Sequence, residues 1–303
     1  MVLRANWPDL LEPGFREIYD DAFLEEEQIF PQIFNVISST KQDEKDSGAT
    51  GFGLFVETGE QEQISYEDPL QMYDVTYTPK KYTKGFKISE ELWEDDQYNV
   101  MRKKPAQLGR AARRSSEKLA ADVFNNAFTS TVLGGDAQEL CSTVHPRSDG
   151  GSSQSNASST GITLTDTNLE TGEMAMRKHL DDKGMRVQIM PSLLVVPVDL
   201  EKTAKILVGS NLRSGTADND VNVYKGRYSV IAWEFITSTT AWFLMDKRQH
   251  KLNWFWRIRP EFAQDKAFET GTGLFKARFR SAVGFSDWRG TWGSKGDGAT
   301  YSG

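Results

Sequence analysis

The chain is predicted to be a mixed α+β protein, and three observations carry that prediction. Residues 89–130 place apolar side chains at helical spacing, whereas Met72–Lys84 and Leu274–Ser281 alternate with a two-residue period. Helix-like and strand-like stretches follow one another without the regular βαβ rhythm of a doubly wound sheet. No internal repeat is visible.

The N-terminal residues 1–48 are acidic, with Asp20, Asp21, Glu25, Glu26 and Glu27 close together. Phe15, Ile18, Tyr19, Ala22 and Phe23 recur at helical spacing, so a short amphipathic helix is expected here. Phe30, Ile33, Phe34 and Val36 supply further apolar anchors, either for a neighbouring molecule or for the chain's own domain.

Residues 49–88 read as an extended β excursion. Gly51–Thr58 is a short apolar strand, Gln61–Asp68 a polar, acidic tip, and Met72–Lys84 an alternating return. Pro79 argues for an edge position or a break, because proline cannot donate to a ladder. A two-stranded ribbon is marginal by itself, so this excursion needs a partner surface.

A strand-like run, Gly85–Ile88, then meets a helix start at Ser89, an N-cap context in which Leu92 stands where a full capping box has an acidic residue. Pro105 is placed to begin a second helical segment, where its missing N–H costs little. Leu108, Ala112, Ser115, Leu119 and Val123 form a narrow stripe flanked by Arg110, Arg113, Arg114 and Lys118, a flank that reads as solvated. Gly134-Gly135 is expected to end the element.

Residues 134–162 read as a loop whose Ser148–Thr160 part is rich in Ser and Gly and expected to be mobile. A helix over Thr165–Asp182 with Asp166 as cap follows. A βα unit comes next, with extended Val187–Met190 and Leu193–Val196, then helical Asp199–Val208. Strands are expected at Tyr224–Ala232, Ala241–Met245, 250–259 and 273–285, and a frayed Gly/Ser-rich tail after Trp292.

The 303 residues, 38% of them hydrophobic, suffice for a sizeable core and allow about two domains. A net charge of -7 argues against a protein whose business is gripping phosphates. The single Cys141 excludes an intrachain disulfide. With no signal-like start and no apolar run of membrane-spanning length, a soluble, intracellular product is expected. In that setting the sequon Asn156-Ala157-Ser158 is incidental. Trp233, Trp242, Trp254, Trp256, Trp288 and Trp292 crowd the last quarter, material for a core and for surfaces that meet other subunits.

A search for chemistry returns little. There is no nucleophile elbow, Walker loop or dinucleotide fingerprint. Cys141 and His145 stand four residues apart, without the further ligands a metal site needs. A cysteine nucleophile paired with His179 or His250 has no local signature behind it. Asp218-Asn219-Asp220 lacks the glycine and distal glutamate of a calcium loop. Glu94-Asp95-Asp96 and Asp181-Asp182 are adjacent carboxylates that point apart on a helix. No catalytic, cofactor-binding or metal-binding residue is assigned, and no cofactor is expected.

Four stretches, in order, carry a family resemblance. They are Phe86–Asp96 leading into the long helix; Leu140–Pro146 before the Gly/Ser/Asn loop; Pro191–Pro197 before a helix containing Ala204; and Asn222–Gly226, followed by an apolar strand and Ala241–Leu244. Together they resemble the major capsid protein of tailed bacteriophages, nearest to the Mu-like major head subunit. The resemblance implies the Hong-Kong-97-type shell fold. It maps an N-terminal arm reaching a neighbour to 1–48, an extended β loop to 49–88, a peripheral domain with a spine helix to 89–160 together with C-terminal strands and tail at 262–303, and an axial domain to 161–261. It implies a structural protein, not an enzyme, that self-assembles into hexamers and pentamers of an icosahedral head assembled in the host bacterial cytoplasm. Implied partners are further copies of the chain, a separate scaffolding protein, a portal, decoration proteins and double-stranded DNA touched non-specifically on the inner face, with no membrane. Acidic arm residues would pair with Arg110, Arg113 and Arg114 across subunits. An encapsulin-like cargo compartment is the alternative within that fold, and a soluble hydrolase using Cys141 and His145 the alternative outside it.

Overall fold

The computed structural model describes residues 7–25, 27–69, 71–89, 91–92, 100–212, 220–267 and 269–301. The acidic run Glu94–Asp96 and Asp218-Asn219 lie outside these. The chain divides into two compact units, one of Met1–Glu44, Tyr77–Ala120 and Trp254–Val283, the other of Lys45–Thr76, Ala121–Asn253 and Gly284–Gly303.

In the first unit β1 (Asn35–Ser38), β8 (Leu252–Lys266), β9 (Gly273–Phe285) and β4 (Lys80–Ile88) form one sheet in the order β1-β8-β9-β4. β4 runs antiparallel to β9 from Lys80 opposite Ser281 to Ile88 opposite Gly273. The ladder starts just beyond Pro79, which breaks the Met72–Lys84 run into β3 (Gln71–Tyr77) and the edge strand β4, as a residue without an N–H should. Ile88, Phe262, Phe275 and Ala277 on one sheet face bury against Phe15 and Tyr19 of α1 (Trp7–Leu24) and Leu108 and Ala112 of α3 (Val100–Asn125).

Of the two placements open to the N-terminal apolar face, α1 takes the one on its own unit. A Cβ on Gly109 of α3 would stand 2.5 Å from the Tyr19 carbonyl oxygen, so only glycine allows so close a crossing. Beyond α1 the chain is clamped to α3. Arg113 donates to the Glu27 carbonyl, and the buried Glu117 carboxylate accepts from the Ile29 and Phe30 amides at 2.9 and 3.5 Å. Glu117 thereby satisfies donors at the start of the one-turn helix α2 (Phe30–Ile33) that no side chain of its own caps. Phe30 then packs on Trp254, with ring centroids 4.6 Å apart. Glu25 pairs with Arg110 at 2.7 Å within the chain, so this acidic residue does not await a second subunit.

In the second unit β10 (Thr291–Ser294), β7 (Trp242–Met245), β5 (Leu193–Val196) and β6 (Ser229–Ala232) are ordered β10-β7-β5-β6. β5 pairs in parallel with β6, and the connection carries α5 (Glu201–Gly209), a βαβ unit; the other pairings are antiparallel. Every residue of β5, β7 and β10 is buried, which is why β5 and β7 read as unbroken apolar runs, whereas β10 buries Thr291 and Ser294 beside Trp292. Leu169 and Met176 of α4 (Asp166–Arg177), Ala204 and Val208 of α5, and Trp242, Leu244 and Trp292 share the core.

Several expected boundaries move. α3 runs through Pro105 and ends at Asn125, well before Gly134-Gly135. α4 stops at Arg177, and its cap is Thr165, whose hydroxyl accepts from the Asn168 amide, in place of Asp166. Within Tyr224–Ala232 only Ser229–Ala232 is strand; the rest is a turn with Gly226 at a φ of 68°. The tail after Trp292 is anchored, because the buried Tyr301 hydroxyl donates to Glu139 and lies 2.8 Å from the Cys141 carbonyl oxygen. Gly51–Thr58 forms no strand; the ribbon consists of β2 (Glu44–Ala49) and β3.

Candidate assembly surfaces

The excursion between β2 and β3 is the most exposed apolar segment described. Phe52, Leu54, Phe55, Val56, Ile64 and Tyr66 are all exposed, Leu54 at 83% and Phe55 completely. Few contacts hold the segment. The Gly53 amide donates to Glu67 Oε2 at 2.6 Å, bringing the two limbs together once. Lys183 Nζ reaches Glu67 Oε1 at 2.7 Å. These bonds hold the Glu67 carboxyl below its ordinary pKa, the Lys183 ammonium foremost and the Gly53 amide next. The apolar stretch read as a strand thus has no ladder to join. A chain that leaves such side chains in water is built for a surface supplied by another molecule. A second exposed apolar group, Val198, Ile206, Leu212, Val221 and Val223, lies on and around α5 of the βαβ unit.

The histidines and the cysteine singled out for chemistry are buried and bonded within the chain. Cys141 is fully buried, and burial, then the Glu139 charge, pushes its thiol well above the usual range, so it is no thiolate nucleophile at neutral pH. His145 is equally buried. Its Nδ1 lies 2.7 Å from Asp136 Oδ2 and its Nε2 2.9 Å from Asn156 Oδ1. Asn156, the sequon residue, is a buried hub whose amide nitrogen donates to the Leu140 and Thr291 carbonyls. A side chain so engaged is unavailable to glycosylation, and the Ser148–Thr160 stretch is pinned at its centre. His179 faces the Ser155 and Arg289 carbonyls, and burial lowers its pKa to about 4. His250 is likewise lowered to about 4, burial outweighing the Asp246 charge. Asp182 accepts from Arg289 and from the Ser148 amide, whereas Asp181 closes a turn onto Lys183 and Met185, so the adjacent carboxylates serve different partners. Among the described residues no group of three His, Cys, Asp or Glu side chains is placed to hold a metal ion.

No sequence signal pointed to the Asn156 hub, to Glu117 or to the Glu67–Lys183 tether, each of which joins residues far apart in the chain. The exposed 52–56 run, in contrast, was legible as apolar and under-cored.

Two units of helix and sheet, with a long apolar excursion left in solvent, define a subunit that completes itself against other molecules. Solved structures similar to the chain include phage capsids and a virus-like particle. The chain is similar to the bacteriophage JBD30 capsid (18% identity, TM-score 0.59, covering 78% of this chain and 100% of that chain). It is similar to the capsid of the cyanophage P-SCSP1u (11% identity, TM-score 0.58, 88% of each chain) and to a virus-like particle from Pyrococcus furiosus (9% identity, TM-score 0.53, 93% of this chain and 98% of that chain). The fold is of Hong-Kong-97 type. Residues 73–293 match the family model described as phage capsid protein, and the chain belongs to that family, the structural shell proteins of bacteriophage virions. No match is found among curated proteins.

Proposed function

We propose that the chain is the major head subunit of a Mu-like phage, forming hexamers and pentamers of an icosahedral shell around double-stranded DNA. The observation that carries this is the 52–66 excursion, whose apolar side chains gain a buried environment only when another copy covers them. In this reading 49–88 is the loop laid across a neighbour, and 161–261 is the axial domain, meeting its copies through the exposed apolar group around α5. Residues 89–160 and 262–303 make the peripheral domain, and 1–48 the N-terminal segment. The subunit does no chemistry; the burial of Cys141 and the engagement of both His145 nitrogens by Asp136 and Asn156 support that. Scaffolding, portal and decoration proteins would be its partners, with assembly in the host cytoplasm and residence in the virion head.

Negative-stain electron microscopy with sedimentation of the purified protein tests the reading. Closed shells or capsomer rings are expected. A monodisperse monomer that persists on concentration and on co-expression with neighbouring genes would overturn it. The same fold is found in a virus-like particle from Pyrococcus furiosus, and the second reading is a shell enclosing protein cargo; particles that copurify with a protein and carry no nucleic acid would decide for it.

A further inference from the structure

The net charge of -7 hides a local reversal on the sheet of the first unit. Register and alternation separate its two faces. Phe86, Ile88, Phe262, Phe275 and Ala277 take the face toward α1 and α3. The residues between them point the other way. Across the β4–β9 ladder these are Lys81 opposite Arg280, Thr83 opposite Arg278, Gly85 opposite Lys276 and Lys87 opposite Leu274. On β8 the same face takes Arg257, Arg259 and Glu261, the last bonded to Arg278 across the strand pair. Asp265 is the other acidic residue of this face on β8. Lys81, Lys87, Arg259 and Lys276 are exposed and have no ion-pair partner among the described residues. Cations therefore recur about every 7 Å along β9, at Lys276, Arg278 and Arg280, and from Arg257 to Arg259 on β8, while Lys81 and Lys87 stand about 20 Å apart on β4, with strands about 5 Å from one another.

We infer that this open face of β8, β9 and β4 is a sequence-independent binding surface for the phosphate backbone of double-stranded DNA. The inference rests on the shell reading and assigns the DNA contact within it to one face. Phosphate neutralisation needs only cations in a row and no pocket. Guanidinium groups, with their planar fork of donors, suit phosphate oxygens. A protein-docking face is instead organised around desolvated aromatic or aliphatic anchors. Among these cations stand Thr83, Gly85, Ala263, the half-buried Leu274 and Glu261, with Phe255 buried beside Arg257 at the end of the row, so no exposed aromatic or aliphatic anchor is present among the described residues of this face. The overall acidity does not oppose the contact, since phosphates near a surface respond to the local field within roughly a Debye length, about 8–10 Å.

The test uses the full chain in its unassembled state and a fluorescent 25-base-pair duplex of arbitrary sequence, with binding followed by anisotropy across NaCl concentrations. Lys81→Gln/Lys87→Gln/Arg259→Gln/Lys276→Gln is compared with Lys202→Gln/Lys225→Gln/Lys247→Gln/Lys251→Gln, which changes net charge equally in the second unit. The sheet variant is expected to flatten the log–log salt slope by about 3–4 and weaken binding at least tenfold, with the control near wild type. Equal loss in both variants, no loss in either, or no wild-type binding would overturn the inference. So would binding of poly-glutamate, but not duplex, that depends on the sheet cations, since that marks an acidic protein partner. Electron microscopy of the same samples separates the two readings: shells that form while duplex binding ignores the sheet cations overturn this inference alone.

Discussion

His145 lies flat on Trp288, ring centroids 4.2 Å apart and planes 11° apart, while Asp136 and Asn156 engage its two nitrogens. The pair is a buried structural joint. His145→Ala removes a stacked ring and strips partners from a buried carboxylate and a buried amide. A loss of about 2–4 kcal/mol is expected in denaturant unfolding. Cys141→Ala, which removes one buried sulfur, should cost only about 1–2 kcal/mol and leave assembly unchanged. A hydrolytic activity that vanished with Cys141→Ala in a folded protein would contradict the structural reading.

Acid should loosen the second unit through His179 and His250. Both have native pKa values near 4, against about 6.5 when unfolded. Above about pH 6.5 both states are neutral and the residues contribute no pH dependence. As pH falls toward 4 the unfolded state takes up protons that the folded state refuses, so stability drops, by up to about 1.4 kcal/mol per pH unit for each histidine. The Leu252 amide donates to His250 Nδ1, a bond only the unprotonated nitrogen can accept. Unfolding free energies between pH 7 and 5 should show this slope, and His179→Gln/His250→Gln should flatten it.

Two helical glycines should respond to alanine with opposite signs. Gly14 in α1 has open space where a Cβ would go, so Gly14→Ala should stabilise by about 0.5–1 kcal/mol through helix propensity. Gly109 meets Tyr19 backbone at 2.5 Å, so Gly109→Ala should push α1 off α3 and cost about 1–3 kcal/mol. Limited proteolysis within α1 would report the displaced helix.

The two carboxylates that tie the N-terminal segment to α3 should differ sharply. Glu117 is 3% exposed, and its removal leaves the Ile29 and Phe30 amides without their acceptor, at a cost of about 1–3 kcal/mol. The Glu25–Arg110 pair is about half exposed, so Glu25→Ala should shift stability by less than about 1 kcal/mol. Thermal unfolding of both variants checks the contrast.

Leu54→Ser/Phe55→Ser/Val56→Ser alters side chains that stand in water in the single chain. Monomer stability should change by no more than about 0.5 kcal/mol per site. Shell or capsomer formation should be lost, because the same side chains are the proposed contact with a neighbour. Wild-type assembly by this variant would show that the excursion does not bind subunits together.

The α+β class, the long helix, the alternating β9 and the apolar β5 and β7 were all legible in the sequence, because periodicity is a local record of which face meets a core. The break at Pro79 was legible too, since proline lacks a donor wherever it stands. The tertiary structure alone decided where the amphipathic N-terminal helix docks, because Phe15 and Tyr19 advertise an apolar face without naming its partner, and the deciding feature is a missing Cβ at Gly109. It alone turned Asn156 from a residue of a polar loop into a buried hub, since its partners Leu140 and Thr291 are supplied by distant parts of the chain. It also gathered cations from three strands onto one face of a net-acidic protein. Periodicity fixes what each segment buries; only the pairing of strands fixes which exposed charges become neighbours.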